Sequence, residues 1–256
     1  MSLTLDDEWK KGNTWNENPD RIGYDGTLGT QLELCPMLYG GDCLDVIPKI
    51  EDKSIQLVMT SPPYFNSEKK YQRGDGVHNS VPVGEPLWDI LEVMEALIDK
   101  VKDDGFVCLN LGFGYSEGKV NRVGELIRQI ERRTHWYNID RIFWHKTNPI
   151  PMQKRLTNSV ETIEVFSKHP LTKYPKGTFK EKWYEHNFIE TSVATSKGKS
   201  QKPFPRELPQ KCIDVFSSEG DLILDPFAGS GTTGFVATEM KRNYIGIEIS
   251  EERNWE

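Results

Sequence analysis

Two short segments of the chain carry residues whose types and spacing suit chemistry. The first, Thr60-Ser-Pro-Pro-Tyr64, follows the apolar run at residues 55–60. Its two prolines end the predicted strand, because proline fixes its own φ and donates no backbone hydrogen bond. The rigid corner that results carries a hydroxyl, fixed carbonyl oxygens and an aromatic ring. Such a corner could accept hydrogen bonds from an amine and stack on a flat ring.

The second segment runs from Asp225 to Gly234 and follows another strand-like run. Its Gly229-Ser-Gly-Thr-Thr-Gly234 matches the G-x-G-x-x-G pattern, in which glycines let the backbone approach a ligand closely. Glu248 follows about 20 residues later, at the end of the next predicted strand, where a carboxylate can take two ribose hydroxyls. This pattern alone fits a nicotinamide dinucleotide equally well.

Asp225 favours a different cofactor. A negative charge directly before the glycine turn is unfavourable for a pyrophosphate and favourable for a ligand that carries an ammonium group. S-adenosylmethionine has an ammonium group, a ribose and a sulfonium cation, and it has no phosphate. We therefore predict S-adenosylmethionine as the cofactor, with a nicotinamide dinucleotide as the alternative.

Apolar runs that alternate with helical periods must position both segments. This alternation predicts an α/β fold with a doubly wound, mostly parallel sheet. Helices are predicted at residues 87–101, 123–130 and 208–216. Seven strands are predicted, at residues 34–39, 55–60, 106–111, 138–145, 161–166, 222–225 and 244–248. Ligands of such sheets bind beyond the carboxyl ends of the strands, so the two segments are expected to share one crevice.

A methyl donor facing the Ser-Pro-Pro-Tyr corner suggests methylation of a nucleobase amine. Such an amine is a poor nucleophile, because its lone pair is delocalised into the ring. Ser61 Oγ and the Pro62 carbonyl could accept hydrogen bonds from the amine, while Tyr64 stacks on the base. A base inside a duplex cannot reach the corner, so it would have to be flipped out.

Together the two motifs resemble those of the DNA amino-methyltransferases, which modify cytosine N4 or adenine N6. The catalytic motif precedes the cofactor motif, as in the permuted beta class of that family. The resemblance covers roughly residues 34–250, and it includes Tyr39-Gly-Gly-Asp-Cys43 and Pro203-Phe-Pro-Arg-Glu-Leu208. It implies a Rossmann-like methyltransferase fold with seven strands in permuted order and a small basic recognition insert.

The resemblance also implies roles for individual residues. Asp225 would meet the methionine ammonium group, Glu248 the ribose, and Asp42 the adenine amino group near the Cys43 amide. The alternative for Asp42 is an N-cap of a helix at residues 43–50. Thr232 or Thr233 would meet the cofactor carboxylate. The remaining implied site residues are Phe227, Gly229, Ser230 and Gly231 around the cofactor, and Ser61, Pro62, Pro63 and Tyr64 in the catalytic corner.

The first position of the catalytic motif bears on the target base. Members of the family with serine there more often resemble the cytosine-N4 enzymes, whereas aspartate is usual for adenine. Ser61 therefore predicts N4-methylcytosine as the product. Adenine-N6 methylation is the alternative, and a catalytically silent homologue that binds DNA is a further one.

Charge is distributed unevenly along the chain. The net charge is −7, yet residues 168–211 carry ten Lys/Arg against four Asp/Glu, with aromatic residues interleaved. This pattern suits contact with nucleic acid, although a solvated insertion that packs its aromatics on the sheet explains it as well. The predicted organisation is a polar arm (1–30) and a methyltransferase domain (31–256) with a flap (66–84) and a target-recognition insert (about 168–204). The predicted DNA-binding residues are Lys69, Lys70, Arg73, Lys197, Lys199 and Lys202.

Other features narrow the location and partners of the protein. The start of the chain has no apolar segment of the signal-peptide type, and no apolar run approaches the roughly 20 residues of a membrane span. The four cysteines are scattered and the histidines lack metal-ligand spacing, so we expect reduced thiols and no metal. We predict a cytoplasmic protein of a prokaryote or its virus. Its expected partners are double-stranded DNA with a short specific site and a possible cognate restriction endonuclease.

Overall fold

A computed structural model describes residues 14–16, 37–62, 72–73, 76–77, 88–112, 115–116, 119–120, 123–149, 151, 156–171, 174, 186–193 and 205–249. Its helices are α1 (Cys43–Val46, continued by a 3-10 turn at Ile47–Lys49), α2 (Trp88–Ala96), α3 (Val123–Arg133), α4 (Glu207–Phe216) and α5 (Thr232–Glu239). Its strands are β1 (Thr14–Asn16), β2 (Met37–Gly40), β3 (Ile55–Thr60), β4 (Gln72–Arg73), β5 (Gly76–Val77), β6 (Val101–Gly112), β7 (Tyr115–Ser116), β8 (Lys119–Val120), β9 (Tyr137–Lys146), β10 (Val160–Ser167), β11 (Phe188–Thr191), β12 (Leu222–Asp225) and β13 (Asn243–Glu248).

Nine of the described strands form one sheet, in the order β1-β2-β13-β12-β3-β6-β10-β9-β11. Strand β10 runs antiparallel to both of its neighbours, β6 and β9, and the other six pairs are parallel. Strands β4 and β5 form a small antiparallel hairpin within the predicted flap, and β7 and β8 form another. The predicted α/β fold with a mostly parallel sheet is therefore confirmed.

The sheet is larger than predicted. All seven predicted strands belong to it, and two more, β1 and β11, are added at its edges. They come from the predicted polar arm and the predicted recognition insert. Both are short, and an edge strand pairs on one side only, so neither needs the long apolar run by which a central strand is recognised.

One predicted helix ends early. Residues 87–101 have helical apolar spacing throughout, but α2 stops at Ala96 and Val101 already begins β6. The Val101 amide still bonds to the Leu97 carbonyl in the intervening turn. Val101 packs in the same apolar cluster as Leu91 and Met94. The helical apolar spacing therefore continues past the end of α2 into β6, because both elements bury side chains in the same apolar cluster.

Helices cover both faces of the sheet. Side chains of α1, α2 and α3 pack in one apolar cluster, and those of α4 and α5 pack in another. Successive strand residues alternate between the clusters, so Val58 faces the first and Met59 the second. Burial on both faces explains why the central strands are apolar throughout. In the described part of the chain, no helix has the length and apolarity needed to cross a membrane.

The direction of winding reverses between β12 and β3. From β12 the chain passes through α5 to β13 on one side, whereas from β3 it passes through α2 to β6 on the other side. Such a reversal opens a crevice at the carboxyl ends of the two strands, which is where α/β sheets bind ligands. The residues that follow β3 and β12 are the two segments singled out by their chemistry.

Candidate active site

A buried hydrogen bond joins the two segments. Thr60, the last residue of β3, donates from Oγ1 to Asp225 Oδ1, the last residue of β12, over 2.5 Å. The partners lie 165 positions apart in sequence, and both are almost completely buried. The two segments therefore lie side by side at their described ends, Thr60 to Pro62 and Asp225 onward, as one shared binding site requires.

Asp225 is a buried carboxylate that organises the start of the turn. It accepts a second hydrogen bond, from the Phe227 amide at 3.1 Å. Burial raises the pKa of Asp225 to about 6, while hydrogen bonds from the Thr60 hydroxyl and the Phe227 amide oppose the rise. Among the described residues no Lys, Arg or His forms an ion pair with it. A buried carboxylate that no cation of the described ranges pairs with fits the ammonium group of S-adenosylmethionine.

The glycine turn leaves open space beside its backbone. Gly229 (φ 52°) and Gly231 (φ 81°) both adopt the left-handed conformation. Of the described atoms, a Cβ added at Gly229 would meet only the Phe227 carbonyl, at 3.8 Å, so a ligand can approach this backbone closely. Gly231 is the N-cap of α5, and the hydroxyls of Ser230 and Thr232, on either side of it, lie 3.1 Å apart.

Glu248 lies against this turn. The last residue of β13 accepts a hydrogen bond from the Gly229 amide to Oε2 at 2.8 Å. The Ala228 amide bonds to the Ile247 carbonyl one residue earlier, at 2.9 Å. A carboxylate at the end of the next strand, in contact with the glycine turn, has the placement that binding of a ribose requires.

Asp42 lies close to Glu248, because it follows β2, the strand that pairs with β13. The Gly41 amide donates to the Glu248 carbonyl oxygen at 3.0 Å, which joins the ends of β2 and β13. Asp42 is the N-cap of α1 and accepts from the Leu44 amide at 3.0 Å, so the capping alternative is confirmed. Cys43 is buried in the first turn of that helix. Contact of Asp42 and the Cys43 amide with an adenine remains a prediction.

The predicted cofactor residues thus lie together at the carboxyl ends of β2, β13 and β12, which are neighbours in the sheet. One distinction emerges among them: Thr233 is completely buried beside Asp225, whereas Thr232 is half-buried and better placed to meet a carboxylate. In the catalytic corner, Ser61 is half-buried and Pro62 is buried. Arg73 lies in β4, of which only the backbone is described. The predicted site residues outside the described part of the chain are Pro63, Tyr64, Lys69, Lys70, Lys197, Lys199 and Lys202.

Sequence reasoning missed a row of polar side chains beside Ser61. Asn110 on β6 and Glu161 on β10 are both buried, and Lys146 at the end of β9 is nearly so. The available signal was one asparagine, Asn110, and two glutamates, Glu161 and Glu164, inside mostly apolar runs. Buried strand positions are usually occupied by uncharged, apolar side chains. That signal could mark buried polar residues, but it could not show that their strands follow β3 in the sheet.

Comparisons with known proteins agree with this site. Residues 55–254 match the model of the N6/N4 methyltransferase family, described as DNA methylase. The type II methyltransferase M.MwoI of Methanothermobacter wolfeii is 32% identical over 212 residues, which are 78% of this chain and 30% of that protein. The type II methyltransferase M.SmaI of Serratia marcescens is 26% identical over 264 residues, 88% of this chain and 90% of that one.

A solved structure shares the fold. The PvuII DNA methyltransferase, described as cytosine-N4-specific, superposes with a TM-score of 0.67 at 24% identity. The match covers 84% of this chain and 82% of that one. The family model spans both the Thr60-Ser-Pro-Pro-Tyr64 corner and the glycine turn, the two segments that the Thr60–Asp225 hydrogen bond joins. The chain therefore belongs to the N6/N4 family of S-adenosylmethionine-dependent DNA methyltransferases.

Proposed function

We propose that the protein transfers a methyl group to the N4 amine of a flipped-out cytosine in double-stranded DNA. The observation that carries this proposal is the buried hydrogen bond from Thr60 to Asp225, which seats the catalytic corner beside the cofactor turn. The preference for cytosine rests on Ser61, at the position where aspartate is usual in enzymes that modify adenine. When bound, S-adenosylmethionine supplies an electrophilic methyl group on its sulfonium.

The chain contributes by positioning the amine and stabilising its reactive form. Ser61 Oγ and the Pro62 carbonyl accept hydrogen bonds from the two amine hydrogens, which lets the nitrogen lone pair leave conjugation with the ring. Tyr64 stacks on the base and offsets part of the cost of unstacking it from the duplex. The cationic amine product loses its proton readily to water, so the reaction needs no side chain as a general base.

In the cofactor site, each of three carboxylates binds a different group of the methyl donor. Asp225 binds the ammonium group, Glu248 the ribose hydroxyls and Asp42 the adenine amino group, while Thr232 meets the carboxylate. The backbone between Phe227 and Gly231 wraps around the remaining surface. This division places the positively charged end of the ligand next to Asp225, the most deeply buried of the three carboxylates.

Recognition of DNA falls to the basic segments of the chain. The flap contributes Lys69, Lys70 and Arg73, and the insert contributes Lys197, Lys199 and Lys202. Lysines meet phosphates, and the aromatic residues between them stack on exposed bases. The names of the related type II methyltransferases support a setting in restriction and modification, in which a cognate endonuclease cuts the unmethylated site.

Mass spectrometry of nucleosides tests the proposed product. DNA incubated with the protein and isotopically labelled S-adenosylmethionine is expected to yield labelled N4-methylcytosine. Labelled N6-methyladenine alone would overturn the choice of base. An absence of any labelled nucleoside, with DNA binding intact, would indicate the silent DNA-binding homologue instead.

A pair of serine variants ties the product to the catalytic corner. Ser61→Ala is expected to lower the rate of methyl transfer by about tenfold, because one hydrogen bond to the amine is lost in the transition state. The matched control is Ser54→Ala, just before β3, whose hydroxyl donates to the Glu51 carbonyl at the opposite end of the same strand. Equal rates in the two variants would remove Ser61 from the mechanism.

A further inference from the structure

A chain of polar contacts leads away from Ser61 across three strands. Asn110 Nδ2 lies 3.4 Å from Ser61 Oγ and 3.3 Å from Glu161 Oε2. The other carboxylate oxygen of Glu161 forms an ion pair with Lys146 Nζ at 2.5 Å. The side chains of Glu161 and Lys146 are only 9% and 12% exposed, and Asn110 is completely buried.

Strand register places these side chains on one face of the sheet. Asn110 lies opposite Ile163, so Glu161 is its diagonal neighbour, two residues along β10. Glu161 in turn lies opposite Trp144, so Lys146 is its diagonal neighbour on β9. Long side chains reach each other across such diagonals. The row therefore follows from the order β3-β6-β10-β9. It crosses these strands at the end of the sheet where the active site lies.

The chemistry of the row determines which way the amide of Asn110 points. An ionised carboxylate accepts hydrogen bonds only, so Glu161 requires the NH₂ group of Asn110 rather than its oxygen. The second hydrogen of the same nitrogen is then directed to Ser61 Oγ. If the amide were reversed, its oxygen would face Ser61 and would draw the serine hydroxyl hydrogen toward itself.

We propose that Asn110 and Glu161 are positioning residues that fix the Ser61 hydroxyl for methyl transfer, with Lys146 holding Glu161 in place. This inference rests on the proposed role of Ser61. With Asn110 as a donor, the hydroxyl hydrogen of Ser61 is turned away from β6, and Oγ keeps a lone pair for the hydrogen of the target amine. The row preorganises the acceptor before the base arrives.

The same row does not serve as a path for protons. A side-chain amide does not titrate in the range in which proteins are stable, so Asn110 interrupts any transfer from Ser61 to Glu161. Glu161 is also already engaged by Lys146, through its other carboxylate oxygen. The row therefore acts on orientation, and its effect should appear in the rate of methyl transfer rather than in cofactor binding.

Two double variants separate positioning from simple structural support. Lys146→Met/Glu161→Leu removes the ion pair without leaving a buried charge, and it leaves Asn110 without its acceptor at Glu161. We expect kcat for methyl transfer to fall by about tenfold, with KM for the cofactor unchanged. In Lys146→Met/Glu161→Gln the glutamine carbonyl can still accept from Asn110, so most of kcat should return. Equal kcat in the two double variants, or a wild-type rate in the leucine variant, would overturn the proposal.

A matched ion pair on the same strands provides the control. Arg141 on β9 and Glu164 on β10 pair at 2.7 Å on the other face of the sheet, and Glu164 is completely buried. Arg141→Met/Glu164→Gln should leave kcat unchanged although it removes a comparable interaction. Asn110→Ala, which keeps the Lys146–Glu161 pair, should lose the same factor in kcat as the leucine variant and tests the row if that variant fails to fold.

A spectroscopic measurement tests the row without relying on activity. The side-chain amide signals of Asn110, assigned by their loss in Asn110→Ala, should match in wild type and in the glutamine double variant. In the leucine double variant these signals should shift and exchange faster with solvent. Unchanged signals in the leucine double variant would refute the positioning role, even if the wild-type protein transferred no methyl group. Shifted signals in that variant, together with an inactive wild-type protein, would refute only the proposed function.

Discussion

The hydrogen bond from Thr60 to Asp225 offers a direct test of how the two motifs are held together. Thr60→Val keeps the shape of the side chain and removes the hydroxyl that reaches Asp225 Oδ1 at 2.5 Å. A hydrogen bond to a charged group contributes about 1.5–3 kcal/mol, and one between neutral groups about 1 kcal/mol. We therefore expect the variant to lose about 2 kcal/mol of unfolding free energy at pH 8, and about half of that at pH 5.

The dependence on pH follows from the protonation of Asp225. Its pKa rises from 3.8 to about 6 in the folded protein, because burial penalises the charged form. Folding therefore favours the protonated carboxyl, and this group costs the wild type about 3 kcal/mol of stability as pH rises from below 3.8 to above 6. Thr60→Val removes a contact that stabilises the charged form, so it should raise the pKa of Asp225 further and enlarge that fall.

Urea unfolding at pH 8 and pH 5, followed by tryptophan fluorescence, measures both effects. Thr162→Val is the matched control, since Thr162 is also a buried strand threonine and its hydroxyl has no hydrogen-bond partner among the described atoms. Its replacement should cost little at either pH. A Thr60→Val cost that is equal at the two pH values, or no larger than that of Thr162→Val, would refute the assignment of an ionised, hydrogen-bonded Asp225.

Three further predictions concern the cofactor, the base and the sheet. Affinity for S-adenosylmethionine, measured by calorimetry, should weaken as pH falls below about 6, because protonated Asp225 no longer attracts the ammonium group; affinity independent of pH would contradict this. Tyr64→Ala should lose most methyl transfer and retain cofactor affinity, since stacking on a base contributes roughly 1–3 kcal/mol, whereas the exposed Tyr137→Ala should change neither. Gly105→Ala should destabilise the protein by about 1–3 kcal/mol in thermal unfolding, because the added Cβ would lie 2.6 Å from Val101 Cγ1 and 3.0 Å from the Gln56 carbonyl. Gly124→Ala in α3, where no atom of the described residues lies within 4 Å of the added Cβ, should be neutral or stabilising.

Local chemistry made much of the site predictable. Two prolines after an apolar run end a strand wherever they occur, and glycines at 229 and 231 signal a turn that needs left-handed backbone, which the structure shows at both positions. The central strands were found because burial on both faces demands continuous apolar runs. The edge strands β1 and β11 escaped notice because they are short and pair on one side only, so they carry a weak pattern.

The sequence by itself thus determined which groups each motif carries: a hydroxyl and a proline carbonyl at Ser61 and Pro62, and a carboxylate ahead of a glycine turn at Asp225. Only the tertiary structure decided that these motifs touch, since Thr60 and Asp225 meet through the adjacency of β3 and β12. The same is true of the row from Ser61 to Lys146, which depends on three neighbouring strand pairs. Apolar periodicity specifies which residues are buried, but many strand orders bury the same residues, and contacts between distant positions exist in only one of them.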